Sequence, residues 1–253
     1  MQKGTSFLMI NLFIVFILFS NLNLHFHSKQ KEPVYSSKKQ EGNHPPLVKI
    51  ISPKNNSTYN WNSRVPYEIS ISDKEDGESK YQEINPKEIF LEIRYVEDTS
   101  EVLSQLKGNN QKKEAGLTAI KTSNCMNCHA FKSKLIGPSF EQICRKYPHL
   151  PKNEDTLSNH ILNGSTGRWG TAQMPSNKDL NKSQAKEIIE CIFKNAADPN
   201  VNYIAGNEGS FILTPPSNSS KYALLIASYI DHGTKEQPGQ KLTGEYKIVI
   251  KGK

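Results

Sequence analysis

The sequence predicts a multidomain α and β protein, in which an all-α domain interrupts a β-sandwich. Apolar and polar residues alternate with a period of two between residues 47 and 96. Helical patterns follow between residues 112 and 197, and period-two patterns return after Pro199. A period of two is typical of half-buried strands, and a period near 3.6 is typical of amphipathic helices.

The N-terminal residues are predicted to be an export signal. Lys3 precedes an apolar run from Phe7 to Phe19, which is short for a membrane span and suits the core of a signal peptide. We therefore assign residues 1–27 to a signal peptide or, as the alternative, an uncleaved N-terminal anchor. The polar, proline-bearing residues 28–46 are predicted to be a linker. We expect the protein to be located in the periplasm or elsewhere outside the cytoplasm. It is expected to associate with a membrane only through the N-terminal segment, if that segment is not cleaved.

Two β-rich segments flank the predicted helices. Residues 47–111 and residues 198–253 each contain too few predicted strands for a convincing sandwich. Together they supply roughly the seven short strands of an immunoglobulin-like domain. We predict that they are the first and second halves of one sandwich, split by the helical domain at 112–197. Two unrelated β-units that flank the helices are the alternative.

The strongest helical pattern is NKSQAKEIIECIFK, which begins at Asn181. Its apolar residues Ala185, Ile188 and Ile192 share one face of a helix. Asn181 is a predicted N-cap, and Gln184 is three residues further on, where its side chain can reach back. This segment is therefore predicted to be an amphipathic helix that packs on a core.

Charge and cysteine content exclude two classes of protein. The net charge is +7, and residues 112–198 carry 13 basic and 8 acidic side chains. Because no stripe of basic residues is interleaved with aromatics, we do not expect nucleic-acid binding. The basic helical block favours an acidic partner instead. Four cysteines in 253 residues are too few for a protein built on disulfides.

The motif CMNCH, which begins at Cys125, indicates the chemistry. The thiols of Cys125 and Cys128 can add to the two vinyl groups of one haem, and His129 then lies under the iron and can bind it. A thioredoxin-like redox pair would need a βαβ setting. A zinc site would need a second pair of ligands, whereas Cys144 and Cys191 are widely separated. We predict one covalently attached haem c. A separately bound calcium ion is a second, less favoured prediction.

The second axial position has three candidates. Met174 is followed by Pro175 in the glycine-rich polar loop GSTGRWGTAQMPSNK, where a methionine is not expected as core filler. A thioether opposite an imidazole raises the reduction potential of haem iron and suits electron transfer. Met174 is therefore favoured, and His149 and His160 are the alternatives.

Six motifs resemble those of small bacterial class I cytochromes c, which carry one haem. They are CMNCH, IGPSF, ICRKY, TLSNHILNG, GRWGTAQMPSN and SQAKEIIECI, and they cover about residues 112–197, a third of the chain. The resemblance implies a compact bundle of about four helices around the haem. It also implies that His129 and Met174 are the axial ligands.

The resemblance implies roles for three further residues. The carbonyl of Pro138 would accept a hydrogen bond from the second ring nitrogen of the ligand histidine. Trp169 would lie near a haem propionate, and the side chain of Asn177 would donate to the ligand sulfur. Each also has a structural alternative, namely the start of a helix for Pro138, a core position for Trp169 and a turn for Asn177.

Two cysteines depart from the pattern of that family. Cys144 and Cys191 can pair in an oxidising compartment, or remain buried free thiols, which we favour. Gly116, which has no side chain, still allows the close contact that the first and last helices need.

The flanking strands resemble PKD-type immunoglobulin-like modules. The acidic loop between the first strands contains Asp73, Glu75, Asp76 and Glu78, whose oxygen atoms can bind calcium. A solvated turn is the favoured interpretation of this loop.

We expect the protein to carry single electrons between redox partners, with the β-sandwich as a docking or spacing module. The partner is expected to be acidic at the docking face. The chain contains no recognisable catalytic domain, so it is not expected to be an enzyme by itself. One alternative is peroxidase-like catalysis or sensing, which needs a labile sixth ligand. The other is a surface-binding or glycan-binding module that uses Trp61, Tyr59 or Tyr81, with a tethered haem.

Overall fold

The structure, a computed structural model, describes residues 42–97, 100, 102, 104, 114–215 and 221–253. The predicted signal peptide or anchor and most of the predicted linker lie outside the described residues. None of the helices in the described part of the chain combines the length and apolarity needed to cross a membrane.

Nine strands and four α-helices have ends that the structure describes. The strands are β1 (Leu47–Ser52), β2 (Thr58–Tyr59), β3 (Arg64–Asp73), β4 (Gly77–Glu78), β5 (Phe90–Val96), β6 (Val201–Ala205), β7 (Glu208–Ile212), β8 (Tyr222–Ile230) and β9 (Thr243–Gly252). The helices are α1 (Ala115–Thr122), α2 (Phe140–Lys146), α3 (Pro151–Asn163) and α4 (Lys182–Ala196). Short 3₁₀ turns occupy Ser79–Tyr81, Pro86–Glu88 and Cys125–Asn127.

The described strands form two sheets, and each sheet takes strands from both sides of the helices. In one sheet β1, β3 and β4 are neighbours in that order, and β7 pairs with β3. The order in the other sheet is β2-β9-β8-β5-β6. One hydrophobic cluster contains Ile69 and Ile71 of β3 together with Leu91 of β5 and Leu225 of β8. The two sheets therefore share one core.

The alternation in β3 is confirmed, because Tyr67, Ile69 and Ile71 are buried and Glu68 is exposed. β5 departs from a simple period of two, since Phe90, on the face opposite Leu91 and Ile93, is also buried. The ring of Phe90 belongs to the same hydrophobic cluster as the helices. At Phe90 the outer face of this sheet is therefore covered by the helical segment.

The sequence interpretation placed no strand at β6, and the structure adds one there. β6 pairs antiparallel with β5, with Arg94 opposite Val201 and Phe90 opposite Ala205. Val201 and Tyr203 are buried in the helical cluster, so this short strand joins the two parts of the protein.

The predicted capping of the last helix is confirmed. The side chain of Asn181 accepts from the backbone N–H of Gln184 at 3.0 Å, and the side chain of Gln184 accepts from the backbone N–H of Asn181 at 2.9 Å. The apolar face predicted for α4 is buried. α1 crosses α4 at Gly116, where a Cβ atom would overlap the carbonyl oxygen of Glu187.

Two residues near the end of the predicted linker, Asn43 and His44, make contacts with distant parts of the chain. The side chain of Asn43 donates to Asp231 Oδ2 at 2.9 Å and to the carbonyl of Gln240 at 2.7 Å. His44 Nδ1 lies 2.7 Å from Glu75 Oε1. These partners are distant in sequence, so composition alone does not indicate them.

Candidate haem site

The CMNCH motif forms a tight turn. Asn124 has the left-handed φ of 58° and starts the 3₁₀ turn Cys125–Asn127. The backbone N–H groups of Cys128 and His129 both donate to the carbonyl of Cys125, at 3.3 and 3.0 Å. Side chains three residues apart are eclipsed in a 3₁₀ turn, so Cys125 and Cys128 lie on the same side. Both cysteines border one cavity together with His129.

The ring of His129 is held in place by a hydrogen bond from its Nδ1 nitrogen. Its Nδ1 atom lies 2.7 Å from the carbonyl oxygen of Pro138. Because a carbonyl only accepts, Nδ1 carries the hydrogen and Nε2 carries a free lone pair. Burial lowers the pKa of His129, and the bond to Pro138 opposes this effect. The neutral imidazole, which is the form that binds metal ions, is therefore favoured at neutral pH.

Met174 lies on a loop that starts at the end of α3. Its backbone exchanges two hydrogen bonds with Ser165, at 3.0 and 2.9 Å. Gly164 has a φ of 81°, and a Cβ there would lie 2.7 Å from the carbonyl oxygen of Met174. The backbone N–H of Asn177 donates to the carbonyl of Ile161 at 3.0 Å and closes the base of the loop. These contacts place Met174 at the edge of the cavity that also contains His129.

The cavity has a volume of about 370 Å³ and mostly apolar walls. Its lining includes both motif cysteines, His129, Pro138, Trp169, Met174 and Asn177, so all seven predicted site residues meet there. The apolar lining comes mainly from the helices and includes Phe140, Ile143, Leu157, Ile161, Ile188, Ile189 and Ile192.

The two rival histidines differ in position. His160 also lines the cavity. The Nε2 atom of His149 instead lies 2.8 Å from Glu154 Oε1, and its ring stacks on Phe193 with centroids 4.4 Å apart. His160 is therefore the histidine that competes with Met174 by position.

Trp169 and Asn177 have other contacts in this structure. Lys146 Nζ lies 4.2 Å from the centroid of the Trp169 ring, and the same amine donates to the carbonyl of Arg168 at 2.8 Å. The side-chain amide of Asn177 donates to the carbonyl of Ser123 at 3.3 Å. An amide has two N–H groups, so a second bond toward a sulfur remains chemically available.

Comparison with known proteins finds relatives over about a third of the chain. A cytochrome c-551 of Azotobacter vinelandii is 39% identical over 79 residues, which are 31% of this chain and 95% of that protein. A cytochrome c-551 of Ectopseudomonas mendocina is 35% identical over 78 residues, 31% of this chain and 94% of that protein. The chain belongs to the cytochrome c-551 and c-552 family. The remaining two thirds of the chain lie outside these matches.

Two further comparisons concern this cytochrome. The crystal structure of wild-type cytochrome c552 from Nitrosomonas europaea is 31% identical and covers 31% of this chain and 96% of that one, with a TM-score of 0.30. No family model matches the chain.

The residues of this cytochrome fit a covalently attached haem. Burial raises the pKa of Cys125 to about 11, so its side chain stays a thiol at neutral pH. Carbon–sulfur bonds to a haem need no ionised cysteine in the finished site. The lone pair of His129, the thioether of Met174 and the imidazole of His160 are further donors at the cavity.

Cys144 and Cys191 are free thiols in the structure. The Sγ atom of Cys144 lies 3.5 Å from the carbonyl of Ile192, and the Sγ atom of Cys191 lies 3.4 Å from the side-chain nitrogen of Asn195. Burial raises the pKa of Cys191 to about 12. Each thiol therefore packs separately within the cytochrome segment.

The acidic loop before β4 uses its carboxylates within the protein. Asp73 Oδ1 accepts from the backbone N–H groups of Glu75 and Asp76, at 2.9 and 2.7 Å. Asp76 Oδ2 accepts from the hydroxyl of Tyr229 at 2.7 Å. Glu78 pairs with Lys80 at 2.9 Å. In the described part of the chain, no three histidine, cysteine or carboxylate side chains converge as metal ligands would.

The aromatic residues proposed for surface binding separate into two kinds. Tyr59 and Trp61 pack against the core of the sheets, and a Cβ at Gly252 would overlap the ring of Trp61. Tyr81 is 66% exposed.

Sequence reasoning missed two residues that contact His129. A Cβ at Gly137 would lie 2.5 Å from His129 Cε1, so this glycine lets the ring approach the backbone. The ring of Phe140 stacks on the imidazole with centroids 5.4 Å apart and an interplanar angle of 17°. Both residues lie in the IGPSF motif, which was used only for the resemblance.

Proposed function

We propose that this protein is an exported c-type cytochrome with one covalently attached haem, which carries single electrons between redox partner proteins. One observation carries the proposal: Cys125, Cys128, His129 and Met174 border the same cavity. Two thiols can attach a haem c covalently, and an imidazole and a thioether can occupy the two axial positions of its iron.

A bound haem supplies reversible one-electron chemistry at its iron. The chain's own residues would do the rest. Cys125 and Cys128 would hold the group by thioether bonds, and His129 and Met174 would be the two axial ligands. The carbonyl of Pro138, 2.7 Å from His129 Nδ1, would keep Nε2 directed at the iron. The apolar walls would exclude water and keep both ligands bound, so that substrates do not reach the iron.

The rim of the cavity suits a protein partner. Ile136 lines it and is 64% exposed, and Trp169 lines it and is 36% exposed. Arg168 also lines it, and Lys146 lies over the ring of Trp169. An apolar contact area with nearby basic groups favours a redox partner that is acidic at its docking face. We also propose that Trp169 lies near a propionate and that Asn177 donates to the ligand sulfur.

For the rest of the chain we propose one PKD-like immunoglobulin-like sandwich, made of residues 47–111 and 198–253 around the cytochrome domain at 112–197. The pairing of β3 with β7 and of β5 with β8 supports this arrangement. The sandwich would serve as a docking or spacing module. Export through residues 1–27 would place the protein in the periplasm, where haem c is attached.

Absorption spectra of the full chain, expressed with a haem-ligation system, test this function. We expect a low-spin haem with the weak sulfur–iron charge-transfer band in the oxidised wild type. Met174→Ala should lose that band, whereas the matched cavity variant His160→Ala should keep it. A high-spin wild type would refute the closed site and would favour peroxidase-like catalysis or sensing. Loss of the low-spin spectrum in His160→Ala, with no change in Met174→Ala, would assign the sixth ligand to His160.

A further inference from the structure

We infer that β6 supplies a positioning residue for the haem ligand: the ring of Tyr203, acting through Phe131 and Phe140, fixes the ring of His129. This inference rests on the proposed function, because it takes His129 as an axial ligand. It assigns to the β-region a role in the haem site itself, beyond docking or spacing.

Four aromatic rings form a continuous row from the strand to the imidazole. The Tyr203 ring lies 4.6 Å from that of Phe131, and the Phe131 ring lies 5.0 Å from that of Phe140, edge to face. The Phe140 ring then lies 5.4 Å from the His129 ring and nearly parallel to it. All three spacings are in the range of favourable aromatic pairs.

The middle of this row has little freedom to move. Phe131 is 0% exposed, and Tyr203 and Phe140 are each 3% exposed. The backbone N–H of Phe140 donates to the carbonyl of Ala130 at 2.9 Å. Since protein interiors are close-packed, a displacement at one ring is passed to the next ring rather than absorbed by empty space.

A second contact ties the haem-binding turn to the start of β6. Lys132 Nζ donates to the carbonyls of Ala196 and Asp198, at 2.8 and 2.9 Å. Ala196 ends α4, and Asp198 lies in the connection to the strand. The side chain of Asp198 accepts from the backbone N–H of Asn200 at 2.8 Å, which shapes the turn into β6.

The strand in turn is fixed by its sheet. Tyr203 lies opposite Glu92 of β5, and β5 also pairs with β8 along its whole length. The backbone of Tyr203 is therefore fixed by the β-region, while its ring packs in the hydrophobic cluster of the helices. His129 thus has two supports: the Pro138 carbonyl at its edge and, on its face, a row of rings anchored in the sheet.

The test compares the wild-type full chain with three variants, two at Tyr203 and one at Tyr67 in the core of the sheets. Tyr203→Leu removes the ring but keeps an apolar side chain, and Tyr203→Phe keeps the ring. Tyr67→Leu is the matched control, because Tyr67 is a buried strand tyrosine, 4% exposed, that packs between the sheets. Three readouts are used: the haem methyl NMR shifts of the oxidised protein, which depend on the orientation of the axial ligands, the midpoint potential, and the temperature at which the sulfur–iron band is lost.

We expect Tyr203→Leu to shift the haem methyl resonances and the midpoint potential, and to lose the sulfur–iron band at a lower temperature than the wild type. Tyr203→Phe should behave as the wild type. Tyr67→Leu should leave the haem methyl shifts and the midpoint potential unchanged, even where it lowers the temperature at which the sulfur–iron band is lost. If Tyr203→Leu matches Tyr67→Leu in all three readouts, Tyr203 is a packing residue only and the inference is overturned. A wild type without a His–Met spectrum would instead overturn the proposed function.

Discussion

The close approach of Gly137 to His129 gives the sharpest prediction about the site. In Gly137→Ala the new Cβ would lie 2.5 Å from His129 Cε1 and 2.9 Å from Nδ1. Carbon atoms make their best contacts at about 3.5 Å or more, so the imidazole would have to withdraw by about 1 Å. That movement would stretch the 2.7 Å bond from Nδ1 to Pro138 beyond hydrogen-bond range.

The energetic cost of this substitution has two parts. Overpacking of a tight site costs about 1–3 kcal/mol. The lost hydrogen bond costs about 0.5–1.5 kcal/mol. We therefore expect Gly137→Ala to lower the free energy of unfolding by about 1.5–4.5 kcal/mol and to alter the haem spectrum.

Denaturant unfolding, followed by circular dichroism and by haem absorbance, measures both effects. Gly239→Ala is the control, because a Cβ there has no atom within 4 Å and the backbone is not left-handed. It should leave both signals unchanged. A Gly137→Ala protein within about 0.5 kcal/mol of the wild type, with the same spectrum, would show that the imidazole is not confined as described.

Two further substitutions probe the scaffold. Gly116→Ala places a Cβ against the carbonyl of Glu187 and 2.7 Å from the Cβ of Cys191, so α1 and α4 must separate. Denaturant titration should show a loss of about 1–3 kcal/mol, and an unchanged midpoint would contradict the close crossing. Asp73→Asn should stabilise the protein at neutral pH, because burial, with the charges of Asp76 and Asp231, raises the pKa of Asp73. A raised carboxyl pKa means that ionisation of Asp73 lowers the stability of the folded protein. The stability gained by Asp73→Asn should therefore shrink as the pH falls through that pKa and Asp73 becomes protonated. Unfolding curves at several pH values measure this gain, and a gain that grew at low pH would contradict the prediction.

Local signals in the sequence predicted the parts of the site that are local in structure. CMNCH forms one turn, and its chemistry follows from its spacing. The capping pair Asn181 and Gln184 lies three residues apart on one helix, so a pattern of residue types was sufficient. The burial of Phe90 could not be found in this way. Its cover comes from helices that follow later in the chain, whereas a period of two places Phe90 on the same face as Glu92 and Arg94.

The same limit explains why β6 and Tyr203 were missed. The segment VNYIA has only five residues, and Val201 and Tyr203 alternate in it as strand residues do. Its partner on one side is β5, more than 100 residues earlier in the chain, and its other face is covered by the cytochrome helices. No local pattern distinguishes such a strand from an extended connection. Its importance for the site becomes visible only when Phe131 and Phe140 are placed beside it.

The described helices lie in the chain between β5 and β6, and this position explains how the sheet can hold a helical domain firmly. These two strands are antiparallel neighbours, with the backbone N–H of Tyr95 donating to the carbonyl of Asn200 at 2.9 Å. In the proposed arrangement the helices replace a hairpin loop, and loop positions tolerate such insertions because the two ends of the insert lie close together. A flexible tether at the two ends would only keep the helices near the sheet. Here Val201 and Tyr203 of the returning strand enter the helical core, so the junction is also a packing contact. The proposed split of the sandwich and the proposed support of His129 therefore have the same physical origin, the burial of one face of β6.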